Sequence, residues 1–116
     1  MNILYVENYA VFAVTVVRTF LRDHRVTVVP SLAAARSALS GGHFDVVIVD
    51  YDLDDGKGDA LVAELVHGQP PRPRIVASSS NADGNAVLLR AGADVVCSKL
   101  RFAQINEVLR GLFTGD

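Results

Sequence analysis

The sequence predicts an α/β domain: a doubly wound (βα)5 three-layer sandwich, in which helices cover both faces of a five-stranded parallel sheet. Two patterns alternate along the 116 residues, namely short runs rich in β-branched residues and longer segments whose apolar residues recur at helical spacing. The short runs are almost continuously apolar, as is typical of strands that are buried on both faces. Because a helix follows each strand and carries the chain back across the sheet, the strands are expected to run in parallel.

Five short segments are predicted as strands. The clearest is Val46–Val49, since all four of its residues are β-branched and such side chains favour the extended backbone. The other segments are shorter or more mixed in composition. The predicted strands comprise residues 3–6, 26–29, 46–49, 74–76 and 94–97.

Five helices are predicted between and after these strands. The first has a single polar face on an otherwise apolar segment, which is typical of a helix packed against a core. Ser31 follows Pro30 and is predicted to cap the second helix, and Asp83 is predicted to cap the fourth. The predicted helices comprise residues 11–23, 32–40, 59–67, 83–90 and 102–113.

Composition excludes several other classes of protein. Half of the residues are apolar and 21% are charged, so residues 1–116 are expected to form one folded domain. The net charge is −2, so the chain lacks the excess of basic residues that is typical of proteins that bind nucleic acid. The longest apolar stretch, from Tyr9 to Leu21, is too short to span a bilayer and the chain starts without a signal sequence. We therefore expect a cytoplasmic protein without direct contact to nucleic acid or membrane.

Polar residues of types that bind ligands or take part in catalysis follow four of the predicted strands. Glu7 and Asn8 follow the first strand, Asp50 the third, Ser78 the fourth and Lys99 the fifth. Each residue alone has an ordinary interpretation, as a helix cap, a loop hydroxyl or a surface lysine. Because parallel strands end at one edge of the sheet, where α/β domains bind their ligands, we expect the five side chains to lie close together.

This set of side chains suits phosphoryl chemistry. A carboxylate can attack phosphorus and form an acyl phosphate. The transferred group spreads negative charge over three oxygens, so catalysis consists largely of positioning and charge neutralisation. A lysine and a hydroxyl supply positive charge and a hydrogen-bond donor. Mg²⁺ takes oxygen ligands and keeps several waters, so one or two carboxylates are enough to hold it.

The chain resembles the receiver domains of response regulators, the signalling modules of two-component systems, over essentially all 116 residues. Three motifs carry the resemblance: residues 3–8, residues 47–53 with Gly58 eight residues after Asp50, and residues 91–94 with Lys99 seven residues after Gly92. The resemblance implies a flavodoxin-like fold with strand order 2-1-3-4-5. It also implies a signalling phosphoacceptor rather than an enzyme, with at most autophosphorylation and autodephosphorylation activity.

The resemblance assigns a role to each residue at the sheet edge. Asp50 is the phosphoacceptor, Lys99 contacts the phosphoryl group, Ser78 is the switch hydroxyl, and Glu7, Asn8, Asp50 and the backbone carbonyl of Asp52 hold Mg²⁺. Counting back from Gly92 selects Ala77 instead of Ser78 for the hydroxyl position. Ser78 is preferred because Pro73 lies five residues before it, as the family pattern expects.

The chain departs from the family pattern at four positions. Asn8 replaces an aspartate and is expected to weaken Mg²⁺ binding, because an amide brings no charge. Asp54 replaces a proline, which is expected to loosen the acidic loop. Val96 replaces the aromatic switch residue, and Leu100 replaces the proline after the lysine. These departures leave a second hypothesis open: a pseudo-receiver that binds proteins independently of phosphorylation. A third, an unrelated flavodoxin-like enzyme, lacks a cofactor-binding loop.

The resemblance also implies partners. The phosphoryl donor is expected to be a histidine kinase or a phosphotransfer protein. The face formed by helix four, strand five and helix five, near residues 83–113, is expected to bind a second copy or an output domain. Since five βα units use all 116 residues, the output is expected to come from a partner or from sequence outside this chain.

The acidic residues between positions 50 and 59 do not have the pattern of a calcium-binding loop. An EF-hand that starts at Asp50 needs glycine at position 55 and glutamate at position 61, where the chain has Asp55 and Leu61. The remaining acids, Asp54, Asp55 and Asp59, are therefore interpreted as a solvated loop and a cap for the third helix.

Overall fold

A computed structural model describes residues 1–114. It contains a five-stranded parallel sheet, a two-stranded hairpin, five α-helices and a 3₁₀ segment. The elements are β1 (Asn2–Val6), α1 (Ala10–Phe20), β2 (Arg25–Val29), α2 (Leu32–Gly41), β3 (Val46–Val49), β4 (Asp52–Leu53), β5 (Gly56–Lys57), α3 (Asp59–Val66), β6 (Arg74–Ala77), α4 (Ala82–Ala91), β7 (Val95–Val96), the 3₁₀ segment (Lys99–Gln104) and α5 (Ile105–Thr114).

The strands of the large sheet follow the order β2-β1-β3-β6-β7, and every neighbouring pair is parallel. This is the predicted order 2-1-3-4-5, because β4 and β5 form the separate antiparallel hairpin. The predicted fold class is therefore confirmed. Within residues 1–114, no helix is both long and apolar enough to cross a bilayer.

The sheet separates two apolar cores. Leu4 and Val6 of β1 point to the face covered by α2, α3 and α4, whereas Ile3 and Tyr5 point to the face covered by α1 and α5. This division follows from the alternation of side chains along a strand. All four residues of β3 are fully buried, as the continuous apolar pattern predicts for a central strand.

The prediction of burial on both faces is wrong for β2. Arg25, Thr27 and Val28 are exposed, because β2 pairs only with β1 and lies at the edge of the sheet. An edge strand has solvent on one side, and short or polar edge strands limit pairing with other chains.

The main differences from the predicted helices lie in α1, α4 and the last helix. Helix α1 ends at Phe20 instead of residue 23, because the chain turns after Leu21 to enter β2. Helix α4 begins at Ala82 and is capped by Asn81, not by Asp83, since the Asn81 side chain accepts hydrogen bonds from the first turn. The predicted final helix, 102–113, is divided in the structure. A 3₁₀ segment covers Lys99–Gln104, and α5 continues from Ile105 to Thr114. The fifth strand is also shorter than predicted, covering residues 95–96.

The acidic loop after β3 is ordered by contacts that the sequence did not predict. Residues 52–53 and 56–57 pair as the β4–β5 hairpin. The Asp55 carboxylate accepts hydrogen bonds from the backbone N–H groups of Leu32 (2.7 Å) and Ala33 (3.0 Å) at the start of α2. The N-terminus of a helix has free N–H groups and a partial positive charge, so a carboxylate is stabilising there. The loop is therefore held in place at Asp55 rather than loosened, although Asp55 is solvent-exposed as expected. Gly58 rather than Asp59 occupies the N-cap of α3.

Asp94, in the motif at residues 91–94, stabilises the opposite edge of the sheet. Its carboxylate pairs with both terminal nitrogens of Arg72 at 3.0 Å and accepts the Ile75 N–H at 2.8 Å. Burial acts to raise the pKa of Asp94, but the Arg72 guanidinium and the Ile75 N–H outweigh it and hold the pKa below its usual range. This part of the motif is structural.

We predict that Asp94→Ala lowers the free energy of unfolding by about 2 kcal/mol at pH 7, because it removes charge-assisted hydrogen bonds of a partly buried group. The pKa of Asp94 is lowered in the folded state, so this stabilisation is present above pH about 4 and is lost as pH falls through the lowered pKa. Urea denaturation at pH 7 and at about pH 2 measures both effects. Exposed Asp54→Ala is the control, and an equal loss from Asp94→Ala at both pH values would contradict the electrostatic explanation.

Candidate functional site

Asp50 lies directly after β3, at the carboxyl edge of the sheet. Asp50 is 4% exposed, and its backbone N–H donates to the Val6 carbonyl at 3.0 Å. Carboxylate Oδ1 accepts the N–H of Tyr51 (2.7 Å), and Oδ2 accepts Lys99 Nζ (2.8 Å). The backbone ladder and two hydrogen bonds thus hold this carboxylate in one orientation.

Lys99 bridges two buried carboxylates. Its Nζ lies 2.8 Å from Asp50 Oδ2 and 2.6 Å from Glu7 Oε1, and 5.4 Å from the centroid of the Phe12 ring. Burial acts to lower the pKa of Lys99, but the hydrogen bonds to Asp50 and Glu7 outweigh burial and raise it above its usual value. Lys99 is therefore a fixed positive charge at neutral pH.

Glu7 is the most deeply buried acid of the site, with 1% of the residue exposed. Its Oε2 accepts the N–H of Tyr9 at 2.9 Å. Burial raises the pKa of Glu7, and the charge of Asp50 adds to this, although the hydrogen bonds from Lys99 and Tyr9 oppose it. The carboxyl of Glu7 thus binds a proton more readily than an exposed glutamate.

Ser78 is adjacent to Asp50 across the sheet. Val49 pairs with Ala77 in the β3–β6 ladder, and the Ser78 N–H donates to the Val49 carbonyl at 2.9 Å. Ser78 is fully buried, and its Oγ makes no hydrogen bond to any part of the chain that the structure describes. Because a buried hydroxyl without a partner is costly, Oγ is suited to bind a group that enters the site. Ala77, the alternative position, is the last residue of β6 and has no hydroxyl.

The candidate metal ligands comprise different kinds of oxygen. Asn8 is exposed directly after Glu7, and Asp52 pairs its side chain with Lys57, which leaves only its backbone for the site. Residues 1–114 contain no group of three or more His, Cys, Asp or Glu side chains arranged to hold a metal ion. Each carboxylate oxygen of Glu7 and Asp50 has a second lone pair beyond the contact it makes here. These donors fit Mg²⁺, which needs few protein oxygens and keeps several waters.

Gly58 holds the hairpin close to Asp50. Its N–H donates to the Tyr51 carbonyl at 2.7 Å, and a Cβ at this position would lie 2.0 Å from the Asp50 carbonyl oxygen. Any other residue would push the hairpin away from the site. The spacing of eight residues between Asp50 and Gly58 therefore has a steric cause.

A groove of about 480 Å³ lies beside the site, on the face formed by α4, β7 and α5. Its lining includes Leu89, Val96, Leu100 and Val108. Leu100 is 80% exposed. Val96 lines the open groove, so no aromatic side chain from that position fills it. This is the face for which the sequence predicts a protein partner.

A largely buried polar network next to Ser78 is not predicted by the sequence. It comprises Ser79, Asn85 and Ser98, joined by hydrogen bonds through the backbone of Ser79. Asn85 lies inside α4, where the helical periodicity shows no sign of a buried polar residue.

Comparisons with known proteins show the fold. No protein-family model and no curated protein sequence matches the chain. A receiver domain from Methylobacillus flagellatus is 24% identical, with a TM-score of 0.83 over 97% of this chain and 98% of that one. The receiver domain of a sensor histidine kinase from Pseudomonas aeruginosa is 25% identical, with a TM-score of 0.82 over 95% and 94% of the two chains. That structure has a magnesium ion coordinated in the active-site cleft.

A third similar structure is a response regulator from Burkholderia pseudomallei, with a phosphorylated aspartic acid and a calcium ion. It is 23% identical, with a TM-score of 0.74 over 99% of this chain and 74% of that one. These likenesses confirm that the chain has the fold of response regulator receiver domains.

Proposed function

We propose that residues 1–116 are a single receiver domain, which accepts a phosphoryl group on Asp50 in two-component signalling. The donor is a phosphohistidine on a histidine kinase or a phosphotransfer protein. The observation that carries the proposal is that the Asp50 carboxylate contacts the Lys99 ammonium at 2.8 Å and that Ser78, which follows the neighbouring strand at the same edge, has a fully buried hydroxyl without a partner in the described chain.

The reaction follows from the chemistry of these groups. A carboxylate oxygen of Asp50 attacks phosphorus, the phosphorus–nitrogen bond of the donor breaks, and the imidazole leaves with the bonding electron pair. Lys99 offsets the negative charge that the phosphoryl oxygens bring into the site, and the Ser78 hydroxyl donates a hydrogen bond to one of them. When bound by Glu7, Asn8, Asp50 and the Asp52 carbonyl, Mg²⁺ supplies further charge neutralisation. Water later hydrolyses the acyl phosphate.

The similar structures support this proposal. One of them carries a phosphorylated aspartic acid, one a magnesium ion in its active-site cleft, and one is the Mn²⁺-bound form of a response regulator. The proposed role is that of a signalling domain rather than of an enzyme. The proposed partner face is the groove between α4, β7 and α5, which would bind a second copy or an output domain.

A phosphorylation-independent pseudo-receiver is the second candidate. Two observations favour it: Asn8 lacks the charge of an acidic metal ligand, and the Lys99 ammonium offsets part of the negative charge of Glu7 and Asp50, as a bound cation would. In that case, binding at the groove would not depend on Asp50.

We predict that incubation with acetyl phosphate and Mg²⁺ adds the mass of one phosphoryl group to the intact protein. Asp50→Asn is expected to abolish the adduct, because an amide is not a nucleophile toward phosphorus. Asp52→Asn is the matched control and should retain it, since only the backbone carbonyl of Asp52 is assigned to the site. Intact-mass spectrometry over time measures all three proteins. If the unmodified chain forms no adduct at millimolar Mg²⁺, the phosphoacceptor proposal is wrong and the pseudo-receiver remains.

A further inference from the structure

Asn85 binds both backbone polar groups of one residue at the sheet edge. Its side chain is buried, with 6% of the residue exposed. Oδ1 accepts the Ser79 N–H at 2.9 Å, and Nδ2 donates to the Ser79 carbonyl at 3.0 Å. The side-chain amide therefore gives Ser79 the pair of hydrogen bonds that a neighbouring backbone would otherwise supply. This fixes the orientation of the peptide groups that follow β6.

The Ser79 carbonyl also anchors the segment that contains Lys99. Strand β7 has only two residues, but its ladder with β6 continues beyond them. The Cys97 N–H donates to Ala77 O at 2.8 Å and the Lys99 N–H donates to Ser79 O at 3.3 Å, while Ser98 Oγ donates to the same carbonyl at 3.2 Å. The backbone of Lys99 is therefore located by a hydrogen bond to Ser79, the same residue that the Asn85 side chain binds.

We infer that Asn85 is a positioning residue for the phosphoryl site: by fixing Ser79, it holds in place both Ser78, the residue before it in the chain, and the backbone of Lys99, which donates to the Ser79 carbonyl. The inference rests on the proposed function for its kinetic consequence. Asn85 itself belongs to α4 and lines the groove on the α4–β7–α5 face. A shift of α4 would therefore reach both Ser78 and Lys99 through one side chain, without an aromatic residue at position 96.

The magnitude follows from the sensitivity of phosphoryl transfer to position. Catalysis in this site consists of positioning and charge neutralisation, and a displacement of about 1 Å can cost about 100-fold in rate. Asn85→Ala removes both bonds to Ser79, so we expect the rate constant for phosphorylation by acetyl phosphate to fall roughly tenfold. Asn85→Asp keeps an acceptor for the Ser79 N–H but loses the donor to the Ser79 carbonyl, so its rate constant should lie between those of the wild type and Asn85→Ala.

Asn81→Ala is the matched control. The Asn81 side chain caps the same helix through the N–H groups of Asp83 and Gly84, so its loss weakens α4 without removing the amide from Ser79. We expect Asn81→Ala to lower the melting temperature but to keep the rate constant of the wild type. An unchanged rate constant in Asn85→Ala, or an equal fall in Asn81→Ala, would overturn the inference.

A second measurement separates this inference from the proposed function. In the protein without phosphodonor, amide hydrogen exchange of Lys99 reports the bond to Ser79 directly. We expect Asn85→Ala to raise the exchange rate of that amide roughly tenfold more than Asn81→Ala does. If the wild type forms no adduct, the phosphoacceptor proposal fails. The ratio of the two exchange rates then still tests whether Asn85 positions the Lys99 backbone. A Lys99 amide equally protected in both variants would overturn the positioning role.

Discussion

Replacing Lys99 with methionine is expected to lower the free energy of unfolding at pH 7 by about 3–5 kcal/mol, the cost of removing one partner from a buried ion pair. Methionine keeps most of the length of the apolar stem but removes the ammonium between Glu7 and Asp50. The side chains of these two acids are 0% and 6% exposed, so water cannot replace the lost charge. Two carboxylates would then face each other in a poorly solvated site.

The pH dependence identifies the cause of this loss. Burial raises the pKa of Glu7 even in the presence of Lys99, and removal of the ammonium should raise it further. An acid whose folded pKa is raised costs no stability below its unfolded pKa and destabilises the fold as pH rises above it. The deficit of Lys99→Met should therefore shrink as pH falls from 7 to about 5, as Glu7 takes up a proton.

Urea denaturation at these two pH values, with and without Mg²⁺, measures the effect. Mg²⁺ should stabilise Lys99→Met more than the wild type, because a divalent cation supplies the missing positive charge. Lys57→Met is the matched control: its ion pair with Asp52 is exposed, and exposed pairs contribute little. A deficit that is independent of pH and of Mg²⁺ would attribute the loss to packing of the Lys99 stem near Phe12 instead.

The sequence predicts the fold because its strongest signals, the apolar runs and the helical periodicity, recur along the whole chain. Continuous apolar runs separated by helical periodicity specify a parallel sheet between helix layers, and β3 follows this pattern at every residue. The prediction does not extend to β2, since the pattern does not distinguish a central strand from an edge strand. The β4–β5 hairpin was missed because strands of two residues are too short for any periodicity.

The candidate site is predictable where topology determines it. Parallel strands end at one edge, and this rule brings Glu7, Asp50 and Lys99 into contact although they lie far apart in the sequence. It does not show that Lys99 contacts both acids, because that depends on side-chain conformation. Asn85 was not found at all, since a single asparagine in a helical segment gives no sign of what it binds.

Asn8→Asp is expected to tighten Mg²⁺ binding at least tenfold. A carboxylate about 4 Å from a cation gains at most about 4 kcal/mol per cation charge at an effective dielectric constant of 20. Water and the retained ligands reduce this, since Asn8 is exposed, but a tenfold change needs only about 1.4 kcal/mol. Without metal, the new charge lies next to Glu7 and should destabilise the fold at pH 7, so Mg²⁺ should raise the melting temperature of Asn8→Asp more than that of the wild type.

Isothermal titration with Mg²⁺, together with melting curves, checks both effects. Asn81→Asp is the matched control: it makes the same chemical change at an exposed position, and aspartate caps α4 as well as asparagine does. A tightening found in Asn8→Asp but not in Asn81→Asp assigns the effect to a ligand rather than to net charge. If Asn8→Asp leaves Mg²⁺ affinity unchanged, residue 8 does not face the metal. The assignment of Glu7 and Asn8 as a metal-binding pair would then be wrong, although phosphorylation of Asp50 would still be tested separately by the mass of its adduct.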